Sequence, residues 1–178
     1  MSKRIAILQS NYIPWKGYFD IINFVDEFIL LDEVQYTKRD WRNRNQIKTK
    51  DGLQWLSIPI NSSGNYTQAI CDMQTASNQW REKHWNSIQH TYGKAKYFQE
   101  VATWLKPVYL ETATTHLSSI NFEFIKKICE FLGINTPITW SSDYNVKAED
   151  KTKRLVDLCQ EADATHYFSG PAAKNYID

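Results

Sequence analysis

The chain has 178 residues, a formal net charge of +1 and 42% hydrophobic residues. That length suits a single domain with a real core, and the near-balanced charge argues against a global electrostatic hold on nucleic acid or on a membrane surface. Cys71, Cys129 and Cys159 show neither metal spacing nor a disulfide framework and read as reduced thiols.

The chain holds seven Trp and ten Tyr. Buried indoles and phenols need hydrogen-bond partners, so this content implies either a polar-laced core or a groove with aromatic walls. The first apolar run is too short for a signal peptide and meets Gln9 and Asn11 at once. No stretch approaches the length of a transmembrane helix. The expected location is cytoplasmic.

Residues 5–8, Ile-Ala-Ile-Leu, have the pattern of a central strand. The polar and aromatic loop QSNYIPWKGY follows. Pro14 fixes its own φ and pushes Ile13 towards an extended conformation. Gly17 supplies either an unusual backbone conformation or room for a close approach. One reading is a rigid turn with Trp15 and Tyr18 packed on the core. The other puts Gln9, Asn11, Tyr12 and Lys16 at a strand end, facing a polar ligand. A helix over 19–26 leads to a second buried strand, 28–31, which places Asp32 and Glu33 at its C-terminal end. Acids in that position can bind a metal, orient a sugar hydroxyl or act as a general base. Solvated loop charges are the alternative, and Asp32 is the stronger candidate of the two.

The segment KRDWRNRNQIK is dense in cations and amides. Arginine forks bind phosphate oxygens in pairs, so Arg42 and Arg44, with Lys48, read as phosphate contacts. Asn43 can read a base or sugar edge, and Trp41 and Tyr36 can stack on one. A solvated basic loop is the plain alternative. Nucleic acid is disfavoured because the cluster is short and the remaining charge balanced. Asp51-Gly52 marks the turn of a hairpin, and 69–73 reads as one more short strand.

Helical spacing starts after Ser77, a candidate N-cap. Trp80, His84, Ile88 and Tyr92 recur at four-residue steps on one face. His84 is then either a satisfied core histidine or an acid–base group. Gly93 is placed at the helix end. A helix over 97–105 is expected to be disturbed at Pro107. Residues 117–132 carry the clearest helical period, closed by Gly133. A strand over 137–140 ends in Ser141-Ser142-Asp143. The helix predicted over 151–162 carries Lys151, Lys153 and Arg154 in its first turn, against the helix dipole. Such cations mark an anion or are simply exposed. The last strand, 165–168, runs through Ser169 and Gly170 into Pro171, a junction whose N–H groups can meet an anion.

The stretches NYIPWKGYFD, FILLDEVQYTKRDWRNRNQIK, WLSIPI, the Trp80/His84/Tyr92 segment, KTKRLVDLC and ATHYFSGPAAKNYID resemble the signature of the WbqC-like proteins. The resemblance covers nearly the whole chain. It implies an enzyme of bacterial surface-polysaccharide (O-antigen) biosynthesis. Proteins of that family continue well beyond the segment matching Tyr167 to Asp178, so the C-terminal part of the family pattern, and any site residue in it, is expected to be missing.

Together these readings give an α/β fold with a mainly parallel sheet and flanking helices. A β-hairpin insertion and a helical insert at 78–134 sit within one domain spanning 1–178. The expected function is transfer of an acyl or aminoacyl group to the amine of a nucleotide-linked sugar. Asp32 and His84 would manage the proton. Gln9, Asn11, Tyr12, Trp15, Lys16, Gly17, Tyr36, Trp41, Arg42, Asn43, Arg44, Lys48, Lys151, Ser169 and Gly170 would bind substrate. The alternative is a non-catalytic nucleotide- or nucleic-acid-binding module. No metal or cofactor is expected beyond the nucleotide or nucleotide sugar as ligand, and homo-oligomerisation is left open.

Overall fold

The computed structural model describes residues 2–61 and 67–170. Four parallel strands form the central sheet: β1 (Arg4–Leu8), β2 (Glu27–Leu30), β5 (Ile138–Trp140) and β6 (His166–Phe168), in the order β5-β2-β1-β6. The register pairs Leu8 with Leu30, Leu30 with Trp140, and Ala6 with Phe168. All four C-terminal ends therefore meet at one edge. The chain moves outward from β1 to β2 and β5, then returns to the other side of β1 as β6. Open sheets bind ligands outside the carboxyl ends of their strands, where the order reverses.

Side chains alternate across a strand, and the two faces acquire different covers. Ala6, Phe28 and Leu30 pack against α1 (Lys16–Phe24) and against Ile125 and Cys129 of α4 (Leu117–Leu132). Ile5, Ile7 and Ile29 pack against Leu158 and Ala162, from α5 (Lys151–Glu161) and its C-cap. A third core lies beside the sheet. It joins Tyr12 to the antiparallel hairpin β3 (Arg44–Thr49) and β4 (Gly52–Ser57), and to α2 (Gln79–Tyr92), α3 (Phe98–Leu110) and α4.

The α/β class and the mainly parallel sheet are as the sequence implies. Local differences have identifiable causes. Residues 69–73 form a 3-10 turn, Ile70–Asp72, instead of a strand. Its N–H groups go to the loop after β2, from Ile70 to the Val34 carbonyl and from Cys71 to the Asp32 carbonyl. Helix α3 runs through Pro107, which lies only three residues from its end, and forfeits a single backbone bond. Gly93 caps α2 at φ −59, so no left-handed residue is used there, whereas Gly133 closes α4 at φ 72. The cations opening α5 are offset by Asp150, whose side chain accepts from the Lys153 N–H at 2.7 Å, and by Asp157, 2.9 Å from Lys153 Nζ. The expected helix start at Pro171 lies outside the described residues, as does most of the polar turn at 61–65.

Candidate functional site at the carboxyl edge of the sheet

The loop between β1 and α1 is tied down residue by residue. The Ser10 N–H donates to Asp32 Oδ1 at 2.8 Å, and the Ser10 hydroxyl accepts from Asn121 Nδ2 at 3.0 Å. The Ser118 hydroxyl donates to the other Asp32 oxygen and accepts from Trp140 Nε1 at 3.3 Å. Asp32 is 1% exposed. Its carboxylate thus joins the ends of β1, β2 and β5 to α4. A buried polar group needs such partners, because leaving it unpaired costs far more than an average hydrogen bond contributes.

Arg42 lies across the same loop. Its guanidinium donates to Asn11 Oδ1 and Gln9 Oε1, and Asp40 Oδ2 stands 3.6 Å away. The Tyr12 N–H donates to the Trp41 carbonyl at 3.0 Å, and Asn121 Nδ2 donates to the Arg42 carbonyl at 2.9 Å. The Asn45 amide donates to the successive carbonyls of Tyr12 and Ile13. Ile13 sits at φ 48, a left-handed conformation that a β-branched residue rarely adopts. The extended conformation expected before Pro14 is therefore not the one found. Asn45 holds the strained alternative, whose cost is about 1–3 kcal/mol.

Tyr12 and His84 meet in the third core. The Tyr12 hydroxyl is 2.9 Å from His84 Nδ1 and hydrogen-bonds to the Tyr109 hydroxyl. Burial raises both phenols above their ordinary range. His84 is 5% exposed, and burial pushes its imidazole down to about 4, against a weaker opposing hydrogen bond that the ring donates to the Ser57 backbone. The ring is neutral at pH 7. Buried Arg81 borders this network, donating to the Thr114 carbonyl at 2.7 Å and lying 4.7 Å from the Trp80 ring centroid.

Beside a third hollow of about 180 Å³ lined by Glu33, Ser141, Lys147 and Arg154, two hollows at the carboxyl edge are both bordered by Leu8 and Gln9. The larger, about 470 Å³, has an apolar lining from Ile7, Leu31, Val34 and Leu155, with Gln35, Thr37 and Tyr167 at its margin. The charged side chains that line it, Lys151 and Arg154, are both cationic. The smaller, about 280 Å³, lies between Trp15 and Trp41 and is bordered by Asn11, Asp40, Arg42 and Gly170. Neither Asp32 nor His84 lines either hollow.

The remaining expected site residues are spread more widely. Gln9, Asn11, Trp15, Trp41, Arg42, Lys151 and Gly170 border the two hollows, and Ser169 precedes Gly170 at the end of β6. Gly17 is used for close approach, since a Cβ there would lie 1.9 Å from Trp15 Cζ3. Lys16 borders a separate hollow beside Asp20 and Leu132. Tyr36 is buried, with its N–H on the Gln68 carbonyl at 2.9 Å. Asn43 binds the Ile58 carbonyl at 2.8 Å through its amide. Arg44 lies 4.2 Å from the Trp55 ring centroid and donates to the Arg39 carbonyl. Lys48 is four residues farther along β3, roughly 13 Å at the ordinary strand rise. Arg42, Arg44 and Lys48 therefore do not converge on one point.

Sequence reasoning passed over Ser10, Asp40, Asn45, Ser118 and Asn121. Ser10, Asn45, Ser118 and Asn121 are ordinary polar residues whose roles depend on partners distant in the chain, Ser118 and Asp32 being 86 positions apart, whereas Asp40 meets its neighbours Trp41 and Arg42. Burial pushes the Cys71 and Cys129 thiols up to about 11, which leaves them protonated at neutral pH. Among the described residues, no cluster of three or more His, Cys, Asp or Glu is placed to hold a metal, and no helix is long and apolar enough to cross a membrane.

The comparisons with known proteins agree with the residue pattern. An uncharacterized protein of Mycobacterium tuberculosis, Rv1507c, is 51% identical over 176 residues, which cover 99% of this chain and 76% of the relative. No solved structure matches. The model of the WbqC-like protein family matches residues 9–178, and the chain belongs to that family.

Proposed function

We propose that the chain is an enzyme of bacterial surface-polysaccharide biosynthesis that binds a nucleotide-linked sugar at the carboxyl edge of the sheet and transfers a group to it. The observation that carries this reading is the 470 Å³ cleft, whose charged lining is cationic only and whose apolar walls are edged by Gln9, Gln35, Thr37 and Tyr167. Apolar walls with a few placed polar groups are the ordinary make-up of a small-molecule site. Lys151 and Arg154 would meet the diphosphate, with Arg154 supplying a planar fork. The loop 9–17 would face the sugar, held in place by Arg42 and by the Asp32–Ser10 bond. Asp32 then acts by positioning this loop, and His84 by fixing Tyr12. Asp40, the carboxylate that borders the smaller hollow, is the group within reach for proton transfer, and Glu33 borders the separate hollow that shares Arg154 with the cleft. An acyl or aminoacyl transfer to a sugar amine is the reaction class we favour.

Thermal shift with UDP, dTDP, GDP and their sugar conjugates tests the binding claim. A ligand at ten times its Kd adds about 1.4 kcal/mol, or about 3–6 °C for a chain of this size. That gain should disappear in the Lys151→Ala/Arg154→Ala double variant. Stabilisation by no nucleotide or nucleotide sugar would overturn the reading.

The enclosure of Asp32 and His84 favours a second reading, a non-catalytic nucleotide-binding module. Mass spectrometry of an amino-sugar nucleotide incubated with activated acyl donors separates the two. Enzyme-dependent mass gain belongs to the transferase, and binding with an unchanged ligand belongs to the module.

A further inference from the structure

We infer that the smaller hollow, lined by Trp15 and Trp41, is a pyranose subsite in which one sugar ring stacks on the exposed indole of Trp15. This assignment deepens the proposed function and rests on it for the identity of the ligand, but the two tryptophans that carry it lie outside the phosphate cleft.

The platform is built into the backbone. Trp15 is 63% exposed, yet its six-membered ring rests against Gly17, where a β-carbon would meet Cζ3 at 1.9 Å and Cη2 at 2.1 Å. The stretch of ring from Cε3 to Cη2 thus lies against bare backbone, while most of the indole stays open. The residue that launches this segment, Ile13, is held at φ 48 by the Asn45 amide. Trp41, 50% exposed and with its ring centroid 5.5 Å from that of Trp55, lines the same hollow, its position set by the bond from the Tyr12 N–H to its carbonyl and by its own N–H on Asp40 Oδ1 at 2.7 Å.

The polar rim suits hydroxyl groups better than phosphate. Arg42 is already engaged by the side-chain oxygens of Gln9 and Asn11 and faced by Asp40. With those amide oxygens occupied, Gln9 and Asn11 offer their NH2 groups as donors, and Asp40 offers a carboxylate acceptor. Donors and an acceptor set around an amphipathic aromatic face match a ring with C–H surfaces and an equatorial belt of hydroxyls. At about 280 Å³ the hollow is just below the lower end of the ~300–1,000 Å³ range of small-molecule sites. It has room for a single ring, and Gln9 is shared with the larger cleft that would take the nucleotide.

The test follows the indole N–H signals of the full chain by 1H–15N NMR, with Trp15 and Trp41 assigned from Trp15→Phe and Trp41→Phe. The probes are UDP, dTDP and GDP, each compared with its glucose, N-acetylglucosamine or mannose conjugate. At least one conjugate should move Trp15 and Trp41 where its parent diphosphate does not. Trp15→Ala should reduce the preference for that conjugate over the diphosphate by about five- to tenfold, with the diphosphate itself bound as before. Gly17→Ala, which drives the ring off its seat, should do the same. Conjugates that bind without moving Trp15 or Trp41 overturn the subsite and leave the proposed function standing. A bare diphosphate that moves Trp15 as strongly overturns it in favour of a stacked base. If no nucleotide binds, the proposed function falls. Methyl pyranosides at high concentration then decide the subsite alone: a selective shift of Trp15 supports it, and a still spectrum removes it.

Discussion

Replacing Asp32 by alanine should loosen the loop that the candidate site depends on. The carboxylate accepts the Ser10 N–H at 2.8 Å and the Ser118 hydroxyl, in surroundings where Ser10 is fully buried and Ser118 nearly so. Removing it strands the Ser10 N–H, at about 1–3 kcal/mol, and discards a second hydrogen bond to a charged acceptor. The second loss is partial, since Ser118 keeps its bond from Trp140 Nε1. A total of about 3–4 kcal/mol is expected for Asp32→Ala. Asp32→Asn retains the shape and one acceptor oxygen, and should cost about 1–2 kcal/mol. Equilibrium unfolding in urea, with the slope checked for constancy, measures both. Near-native stability for Asp32→Ala would refute the positioning role. Full stability and full ligand binding in Asp32→Asn with lost turnover would point instead to direct proton transfer by this carboxylate.

Four further outcomes are expected. His84 binds a proton more weakly in the folded chain, with its pKa down to about 4 against 6.5. The unfolded chain therefore takes up more protons between those values, and stability is full above pH 6.5 and falls as pH drops towards 4. The loss is about 3 kcal/mol, and the slope of stability against pH over that window should flatten in His84→Gln. Arg42→Ala should weaken nucleotide-sugar binding at least fivefold in calorimetry by freeing the Gln9 and Asn11 side chains, at a stability cost of about 1–2 kcal/mol. Asn45→Ala should destabilise by about 1–3 kcal/mol in the same urea assay, because it releases the strained Ile13 from its amide. Lys151→Ala, an exposed substitution, should change stability by less than about 0.5 kcal/mol while lowering diphosphate affinity, read from the same titrations.

Much of the scaffold could be read directly. The apolar runs of β1 and β2, the Asp51-Gly52 turn, the 3.6-residue period of α4 and its closure at Gly133 are all local patterns, and local patterns survive folding. The strands' polar ends were legible for the same reason, and with them the edge at which Gln9, Asn11 and Asp32 gather. What lay hidden was the choice among partners. Rules for the residue before proline put Ile13 in an extended conformation, but Asn45, a side chain of β3, overrides that preference. A strand-end acid can handle protons or brace a loop, and only Ser10 and Ser118 decide which surroundings Asp32 has. The cations of 38–48 looked like one cluster because they are close in sequence. A strand spreads them, a tryptophan takes Arg44, and two amides take Arg42.

A titration of the 15N-labelled chain with nucleoside diphosphate, followed through its backbone amides, tests the two-hollow edge most directly. Shifts are expected at Gln9, across 34–37 and along the first turns of α5 up to Leu155. Shifts confined instead to the outer face of the β3–β4 hairpin, around Arg44 and Lys48, would mean that phosphate is read by an open basic surface and that the cleft beside Arg154 is not the ligand site.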